Sequence, residues 1–324
     1  MAKRPSTMID ILSTTAPIYL AIAVGYFAAR FGLFDKAGLR VMGKFVIYIA
    51  LPAMLLNALM QRRVDEMLNV TYVLVYAAGS LINMAVALWW ARRLAPGEPT
   101  ARPYIALGMS CSNSGFVGFP IMLLALPAVA DIALALNMLV ENILLLPLLL
   151  SLAEQGESSG GSRLANIGQT IWRLRKNPLI VAIFVAFGLS LLEVKLPPAL
   201  GRTVSLFAQA SIAVALFVIG GTLYGMPFKG VKVRVFSITA GKLLLHPLLV
   251  WLTLSGAVVL GLPALPSELR SALILTAALP IMSIYPILAM RHGHEGFAAA
   301  ALLATTTLSF FTLSALLMVL GNTR

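Results

Sequence analysis

Ten long apolar segments dominate the chain, and charged residues, glycine or proline separate each from the next. Their approximate ranges are 9–29, 42–60, 71–90, 104–126, 128–152, 179–193, 204–223, 235–260, 271–290 and 296–320. A helix needs about 20 apolar residues to cross the hydrocarbon core, and a spanning segment in lipid must pair its own backbone groups. The pattern predicts an all-α integral membrane protein with ten transmembrane helices. The segments are continuously apolar rather than alternating, which excludes a transmembrane β-barrel.

Composition supports this class and excludes others. Hydrophobic residues make up 60% of the 324 residues and charged residues only 11%, whereas soluble chains carry about 25% charged residues. A soluble enzyme, a nucleic-acid-binding domain and a disordered protein are therefore excluded. Cys111 is the single cysteine, so the sequence implies no intrachain disulfide.

The net charge of +12 predicts an orientation rather than a nucleic-acid partner. If the chain crosses the membrane ten times, fifteen Lys and Arg residues fall on one side and eight on the side of the termini, with Lys242 inside a span. Basic residues concentrate in cytoplasmic loops. We therefore expect both termini outside the cytoplasm, in the inner membrane of a bacterium.

A polar connection at 153–178 divides the chain into halves of five spans, 1–152 and 179–324. An odd number of spans places the halves in opposite orientations, which is the arrangement of an inverted repeat. The connection is predicted to be cytoplasmic. Its apolar residues recur at helical spacing beside basic ones, which fits either an interfacial helix or an extension of the sixth span; they are Leu164, Ile167, Ile171 and Leu174.

The fourth and ninth spans carry residues that break helices. In the fourth, small polar residues precede two glycines and a proline: Ser112, Asn113, Ser114, Gly115, Gly118 and Pro120. In the ninth, two prolines stand six residues apart, with polar residues between them: Pro280, Ser283, Tyr285 and Pro286. Proline removes a backbone donor and clashes with the preceding turn. Corresponding interruptions in two halves indicate a midplane binding site.

We predict that the ten residues just named bind substrate. If the two broken helices cross, two half-helix N-termini converge on one cavity, which suits a carboxylate. The alternative is a pair of kinked, tightly packed helices whose Ser and Asn side chains bond their own backbone.

These segments resemble the auxin efflux carrier family, which includes plant PIN-type auxin carriers and bacterial organic-acid transporters. The resemblance rests on Pro17–Ala21 with Gly25-Tyr26, Phe45-Val46 with Leu51-Pro52, the Asn113, Gly118 and Pro120 pattern, and Ala277–Pro280 with Pro286. Ser112 stands where plant carriers often have proline. The bacterial branch, with malonate and malate among its substrates, is the closer likeness. The resemblance implies a scaffold domain and a domain of two crossing broken helices, as in bile-acid symporters and sodium/proton antiporters.

Ionisable residues inside the spans are few, and each is therefore a candidate for function. Glu141 lies near the middle of the fifth span, and Lys242 and His246 share one face of the eighth at i, i+4. Their depths overlap, so we predict a cluster that carries a coupling proton. The alternatives are a snorkelling Lys242 and a packing role for His246. The run His292–Glu295 lacks further clustered ligands and the HExxH spacing, so we predict neither a metal nor a cofactor.

Together these features predict a secondary transporter of small organic anions that works by alternating access, coupled to protons. We expect a homodimer whose partners are the anion and membrane lipid. A passive carboxylate facilitator and a transporter-like membrane sensor remain as alternatives; we find no catalytic constellation for an enzyme.

Overall fold

The computed structural model describes residues 8–60, 69–155, 178–194, 196–224, 232–290 and 292–322. The α-helices in these ranges are α1 Met8–Arg30, α2 Lys36–Phe45, α3 Leu51–Leu59, α4 Val70–Leu94, α5 Ala101–Ser110, α6 Phe119–Ala125, α7 Ala130–Leu139, α8 Leu146–Gln155, α9 Pro178–Leu191, α10 Pro198–Leu223, α11 Lys232–Ala240, α12 His246–Val259, α13 Ser267–Ala277, α14 Tyr285–Met290 and α15 Glu295–Asn322. Short π-helical segments join some of them: π1 Val46–Ala50, π2 Ser114–Gly118, π3 Val140–Leu145 and π4 Gly241–Leu245.

The described part of the chain is helical and contains no β-strand beyond one isolated bridge. Within the described ranges, six helices are long and apolar enough to cross a membrane: Lys36–Asn57, Val70–Leu94, Ala130–Ala153, Pro198–Thr222, Lys232–Val259 and Glu295–Leu320. The prediction of an all-α integral membrane protein is confirmed. The count of ten spans and the division into repeats stay predictions.

Some helices begin earlier than the apolar segments that predicted them. The second apolar segment starts at 42, yet α2 starts at Lys36, because the side chain of Asp35 accepts a hydrogen bond from the Gly38 N–H at 2.7 Å and caps the helix. Hydropathy does not detect such a polar first turn. Of the 153–178 connection the structure describes only 153–155 and 178, so the predicted interfacial helix lies outside the described residues.

The four π-helical segments share one local cause. Each ends two residues before a proline: Pro52, Pro120, Pro147 and Pro247. The residue just before each proline donates its N–H five residues back, to the carbonyl oxygen of Val46, Ser114, Glu141 or Gly241. A proline ring clashes with the carbonyl four residues before it. The wider π turn relieves that clash while the helix continues.

The helices form two groups, and the two groups contact each other. In the first, α1 packs on α10, and α10 and α9 pack on α3. In the second, α4 packs on α5 and α12, and α15 packs on α11 and α14. The contact of α1 with α10 depends on two glycines, because a Cβ at Gly25 would overlap the carbonyl oxygen of Phe217 and one at Gly220 would overlap that of Ile22. The backbones therefore approach as closely as small residues allow in membrane helices.

Candidate functional site

The two predicted helix breaks exist, and they meet. Between α5 and π2 the chain is non-helical at 111–113, and between α13 and α14 it is non-helical at 278–284. Ser112 and Ile281 form an antiparallel bridge, and the Asn113 N–H donates to the Pro280 carbonyl oxygen at 2.8 Å. Each break thus satisfies backbone groups of the other, which non-helical backbone at membrane depth requires.

The first break lies at 111–113, at the start of the motif and before its two glycines. Cys111 is extended (φ −99°, ψ 133°), and the Asn113 side-chain oxygen caps the next segment by accepting from the Phe116 N–H at 3.3 Å. Gly115 and Gly118 lie inside π2, and Pro120 occupies the first turn of α6. The helix continues from π2 through Pro120, and the wider π turn relieves the clash of the proline ring.

Gly118 packs closely against the second break. A Cβ at this position would overlap Cδ1 of Leu279, which belongs to the second break, and one at Gly115 would lie 3.3 Å from Cδ1 of Leu51. Glycine here permits close approach of the two broken helices rather than unwinding.

One side of the crossing is closed and holds an acid. Glu141 is 1% exposed. Its Oε1 accepts from the Tyr76 hydroxyl at 2.7 Å and from the Ser112 N–H at 3.0 Å, and its Oε2 accepts from the Ser114 hydroxyl at 3.3 Å. Every polar neighbour therefore donates to the carboxylate, which is the arrangement that stabilises a buried negative charge.

A buried cation lies on the same closed side. The Lys242 ammonium donates to the Ser112 hydroxyl oxygen at 2.8 Å and to the Ala277 carbonyl oxygen at 2.7 Å, and it lies 2.9 Å from Nδ1 of His246. Lys242 is 0% exposed, so it does not snorkel toward headgroups. The structure thus brings Lys242 and His246 together, and Ser112 joins them to Glu141.

The two charges sit at helix ends of opposite polarity. Ala277 is the last residue of α13, whose C-terminal carbonyls have no helical partner, and Lys242 bonds one of them. Glu141 accepts from Ser112 and Ser114 at the start of the helical stretch Ser114–Ala125. Helix C-termini favour cations and N-termini favour anions. The breaks therefore create the partial charges that stabilise the acid and the lysine in the membrane.

A polar stripe on α4 completes the cluster, and the sequence reasoning missed it. Its members recur at helical spacing on one face: Tyr72, Tyr76, Ser80 and Asn83. Besides the bond from Tyr76 to Glu141, the hydroxyl of Tyr72 donates to Asn137 Oδ1 at 3.0 Å, and the hydroxyl of Ser80 lies 2.9 Å from Nε2 of His246. Asn83 Nδ2 donates to the Met109 carbonyl oxygen at 2.7 Å. The i, i+4 spacing of polar residues within an apolar helix was the available signal.

The other side of the crossing is more open. Asn113 bonds other partners than Ser112 does, and its side chain is only 5% exposed. The Asn113 amide donates to the Ser283 hydroxyl oxygen at 2.7 Å, and Ser283 is half-buried, as is Pro286 at the start of α14. These side chains are the predicted binding residues nearest to accessible space.

Tyr285 is placed differently from the other predicted residues. Its side chain is fully buried, and its hydroxyl donates to the Tyr104 carbonyl oxygen of α5 at 2.9 Å. It joins α14 to α5 instead of facing the Asn113–Ser283 side.

A second polar group lies at one end of the bundle, outside the apolar spans. Glu98 pairs with both terminal nitrogens of Arg234, at 2.9 and 2.6 Å, and this contact lowers the pKa of Glu98. Burial lowers the pKa of His294, whose Nε2 lies 2.9 Å from the Thr100 hydroxyl. The pair joins the start of α11 to the turn between α4 and α5. No cluster of three or more metal-ligating side chains occurs in the described ranges.

Comparison with known proteins identifies the family of the chain. A family described as "Membrane transport protein" matches residues 10–318. A protein of Rhizobium meliloti (strain 1021) named "Putative malonate transporter" is 28% identical over 325 residues, covering 97% of this chain and 97% of its own. "Uncharacterized transporter YfdV" of Escherichia coli (strain K12) is 25% identical over 298 residues, covering 91% of this chain and 92% of its own. The chain therefore belongs to the membrane transport protein family, the auxin efflux carrier family that its sequence resembles.

Proposed function

We propose that the protein is a secondary transporter of small organic anions that works by alternating access. One observation carries this proposal: two interrupted helices pair at their breaks, between Asn113 and Pro280, with a buried acid and a buried lysine behind them. Broken helices that cross at membrane depth are typical of transporter binding sites. The sequence contains no nucleotide-binding loop, which agrees with transport driven by a gradient.

The architecture we propose is ten spans in two inverted halves, 1–152 and 179–324. The broken helix α5–α6 is the fourth span of the first half. The broken helix α13–α14 is the ninth span of the chain and therefore the fourth of the second half. The first helix group, with α1, α3, α9 and α10, serves as the scaffold. The second group carries the crossing and moves against it.

The proposed substrate is a small carboxylate of the malonate class, bound beside Asn113 and Ser283. An amide and a hydroxyl supply neutral donors at a partly accessible position. The name of the Rhizobium relative favours a dicarboxylate. Substrate would replace the bond between Asn113 and Ser283, so binding would loosen one link between the two broken helices.

We propose protons as the coupling ion and Glu141 as their carrier. All three neighbours of Glu141 donate to it, and a protonated carboxyl must itself donate. Protonation of Oε2 would reverse its bond with the Ser114 hydroxyl, which can also accept, and loss of the negative charge would weaken the bond from the Ser112 N–H. This rearrangement would reach Lys242, because the Ser112 hydroxyl also bonds Lys242. Because Ser112 and Asn113 are adjacent in the first break, that rearrangement would reach the substrate side of the crossing.

The proposed orientation places the 153–178 connection in the cytoplasm and both termini outside. In the described ranges, basic residues gather at the end of α1, the start of α2, the α4–α5 connection and the start of α11: Arg30, Lys36, Arg40, Lys44, Arg92, Arg93, Arg102, Lys232 and Arg234. On the opposite side, Arg202 lies near the start of α10 and Arg270 near the start of α13. By the positive-inside rule, the side with more Lys and Arg residues is the cytoplasmic one.

Uptake into proteoliposomes tests the function. Purified protein is reconstituted, and labelled malonate, malate, acetate and a neutral amino acid are offered with and without an imposed pH gradient. We expect saturable uptake of a carboxylate, accelerated by the gradient, in protein-containing vesicles and not in empty ones. Uptake of the amino acid but of no carboxylate would overturn the proposed substrate class.

A further inference from the structure

A groove of about 490 Å³ lies away from the crossing, between α12, α13 and α15. Apolar side chains form most of its wall, among them Trp251, Ile274, Leu316 and Val319. Polar groups occur only where α13 begins, at Ser267, Arg270 and Ser271. The groove is therefore amphipathic, with a polar end and an apolar body.

The charge at the polar end of the groove comes from one side chain, Arg270. Arg270 is exposed and has no ion-pair partner among the residues that the structure describes. The Ser271 hydroxyl already donates to the Ser267 carbonyl oxygen at 3.0 Å, so Arg270 supplies the free donors. From Leu254 to Pro247 the groove follows α12 for about 10 Å into the bundle, at 1.5 Å per residue.

The groove opens on the outer surface of the bundle. Trp251 is 50% exposed and Val319 is 60% exposed, although both line it. In a membrane protein such a surface meets lipid chains rather than water. A small dicarboxylate would meet one cation and an apolar wall, whereas an anionic lipid offers a phosphate for the arginine and an acyl chain for the wall.

We propose that this groove binds one anionic phospholipid, with its phosphate at Arg270 and an acyl chain along Trp251 and Leu316. Its inner end reaches Pro247, which directly follows His246 of the buried cluster. A bound lipid would pack against the helices that hold His246 and Ala277 and would favour the arrangement described here. That effect on transport rests on the proposed function, whereas lipid binding does not.

Lipid binding to the purified full chain tests the proposal. The protein is delipidated in neutral detergent, and retention of added phosphatidylglycerol or phosphatidylcholine is measured by native mass spectrometry. We expect preferential retention of phosphatidylglycerol by the wild type. Arg270→Gln should weaken it about tenfold or more, since a charge-assisted contact is lost. Arg202→Gln, which removes an exposed arginine at the start of α10, should retain wild-type binding.

A second variant tests the apolar body independently of charge. Leu316→Trp fills the groove and should reduce retention of phosphatidylglycerol while leaving Arg270 in place; its melting temperature establishes that it is folded. Equal retention of the two lipids by the wild type would overturn the proposal. So would an equal loss in Arg202→Gln, or displacement of the lipid by malonate, which would make the groove a substrate site. None of these results depends on transport.

Discussion

Glu141 and Lys242 bind the same residue, Ser112, rather than each other. The carboxylate accepts from the Ser112 N–H at 3.0 Å, and the ammonium donates to the Ser112 hydroxyl at 2.8 Å. One residue of the crossing therefore separates the two buried charges and bonds both. In a direct ion pair, neutralising one side chain would remove the other's charged partner. With Ser112 between them, Glu141 or Lys242 can change its charge while the other keeps its contacts with a helix end.

Replacing Ser112 by alanine should destabilise the protein. The Ser112 hydroxyl accepts from Lys242 and donates to the Thr276 carbonyl oxygen at 2.9 Å. Loss of a hydrogen bond to a buried charge costs about 1.5–3 kcal/mol. We expect a lower melting temperature in detergent than for Ser211→Ala, whose equally buried hydroxyl donates within its own helix to Ala208. Equal melting temperatures would show that Lys242 finds another acceptor.

Glu141→Gln should separate transport from the pH gradient. Glutamine keeps the size of the side chain but carries no exchangeable charge, so uptake should persist at a rate that the gradient no longer changes. The measurement is initial uptake into proteoliposomes with and without the gradient and without Na⁺. Asp131→Asn neutralises another buried acid, in α7, and should keep the response. Full gradient-driven uptake by Glu141→Gln would reduce Glu141 to a structural partner.

Asn113→Ala should weaken substrate binding on the open side of the crossing. Loss of one hydrogen bond to a charged ligand costs about 1.5–3 kcal/mol, or roughly 10–100-fold in affinity. Ser283→Ala should act in the same direction. Asn142→Ala is the matched control, because its amide donates to the Met138 carbonyl oxygen in its own helix. Unchanged affinity in folded Asn113→Ala and Ser283→Ala would leave the two residues a purely packing role.

The orientation can be measured by cysteine labelling on a Cys111→Ser background. An impermeant reagent added to intact cells should label Ala264→Cys, which is exposed in the turn between α12 and α13. It should label Ser158→Cys only after the cells are permeabilised, because the connection is predicted to be cytoplasmic. The opposite pattern would invert the topology.

Gly220→Leu should disrupt the contact between α1 and α10. A Cβ at Gly220 overlaps the backbone of α1, so the helices must separate, and overpacking of this kind costs about 1–3 kcal/mol or more. Gly256→Leu places the same side chain where no atom lies within 4 Å of the added Cβ and should be tolerated. Thermal unfolding of the two variants in the same detergent provides the comparison, and similar melting temperatures would contradict the close contact.

The sequence was sufficient for those features that a single segment encodes. Apolar length predicted the helices, prolines and glycines predicted both breaks, and overlapping depths predicted that Glu141, Lys242 and His246 would approach one another. The exact partners depend on how segments pack, which one sequence does not encode. Ser112 as the bridge and Tyr76 as a donor to Glu141 are examples. The contact of Gly118 with Leu279 of the second break is a third example.

Both buried charges occupy widened turns, Glu141 in π3 and Lys242 in π4. A π turn holds an extra residue relative to the α-helical ladder, and one residue of an α-helix corresponds to about 100° of rotation. The direction in which each charge points is therefore set by a local insertion in the helical register. Restoring an α ladder in π3 with every residue kept, as Pro147→Ala would permit, would turn Glu141 by roughly 100° relative to α8. The acid would leave Ser112 without any change in its own chemistry.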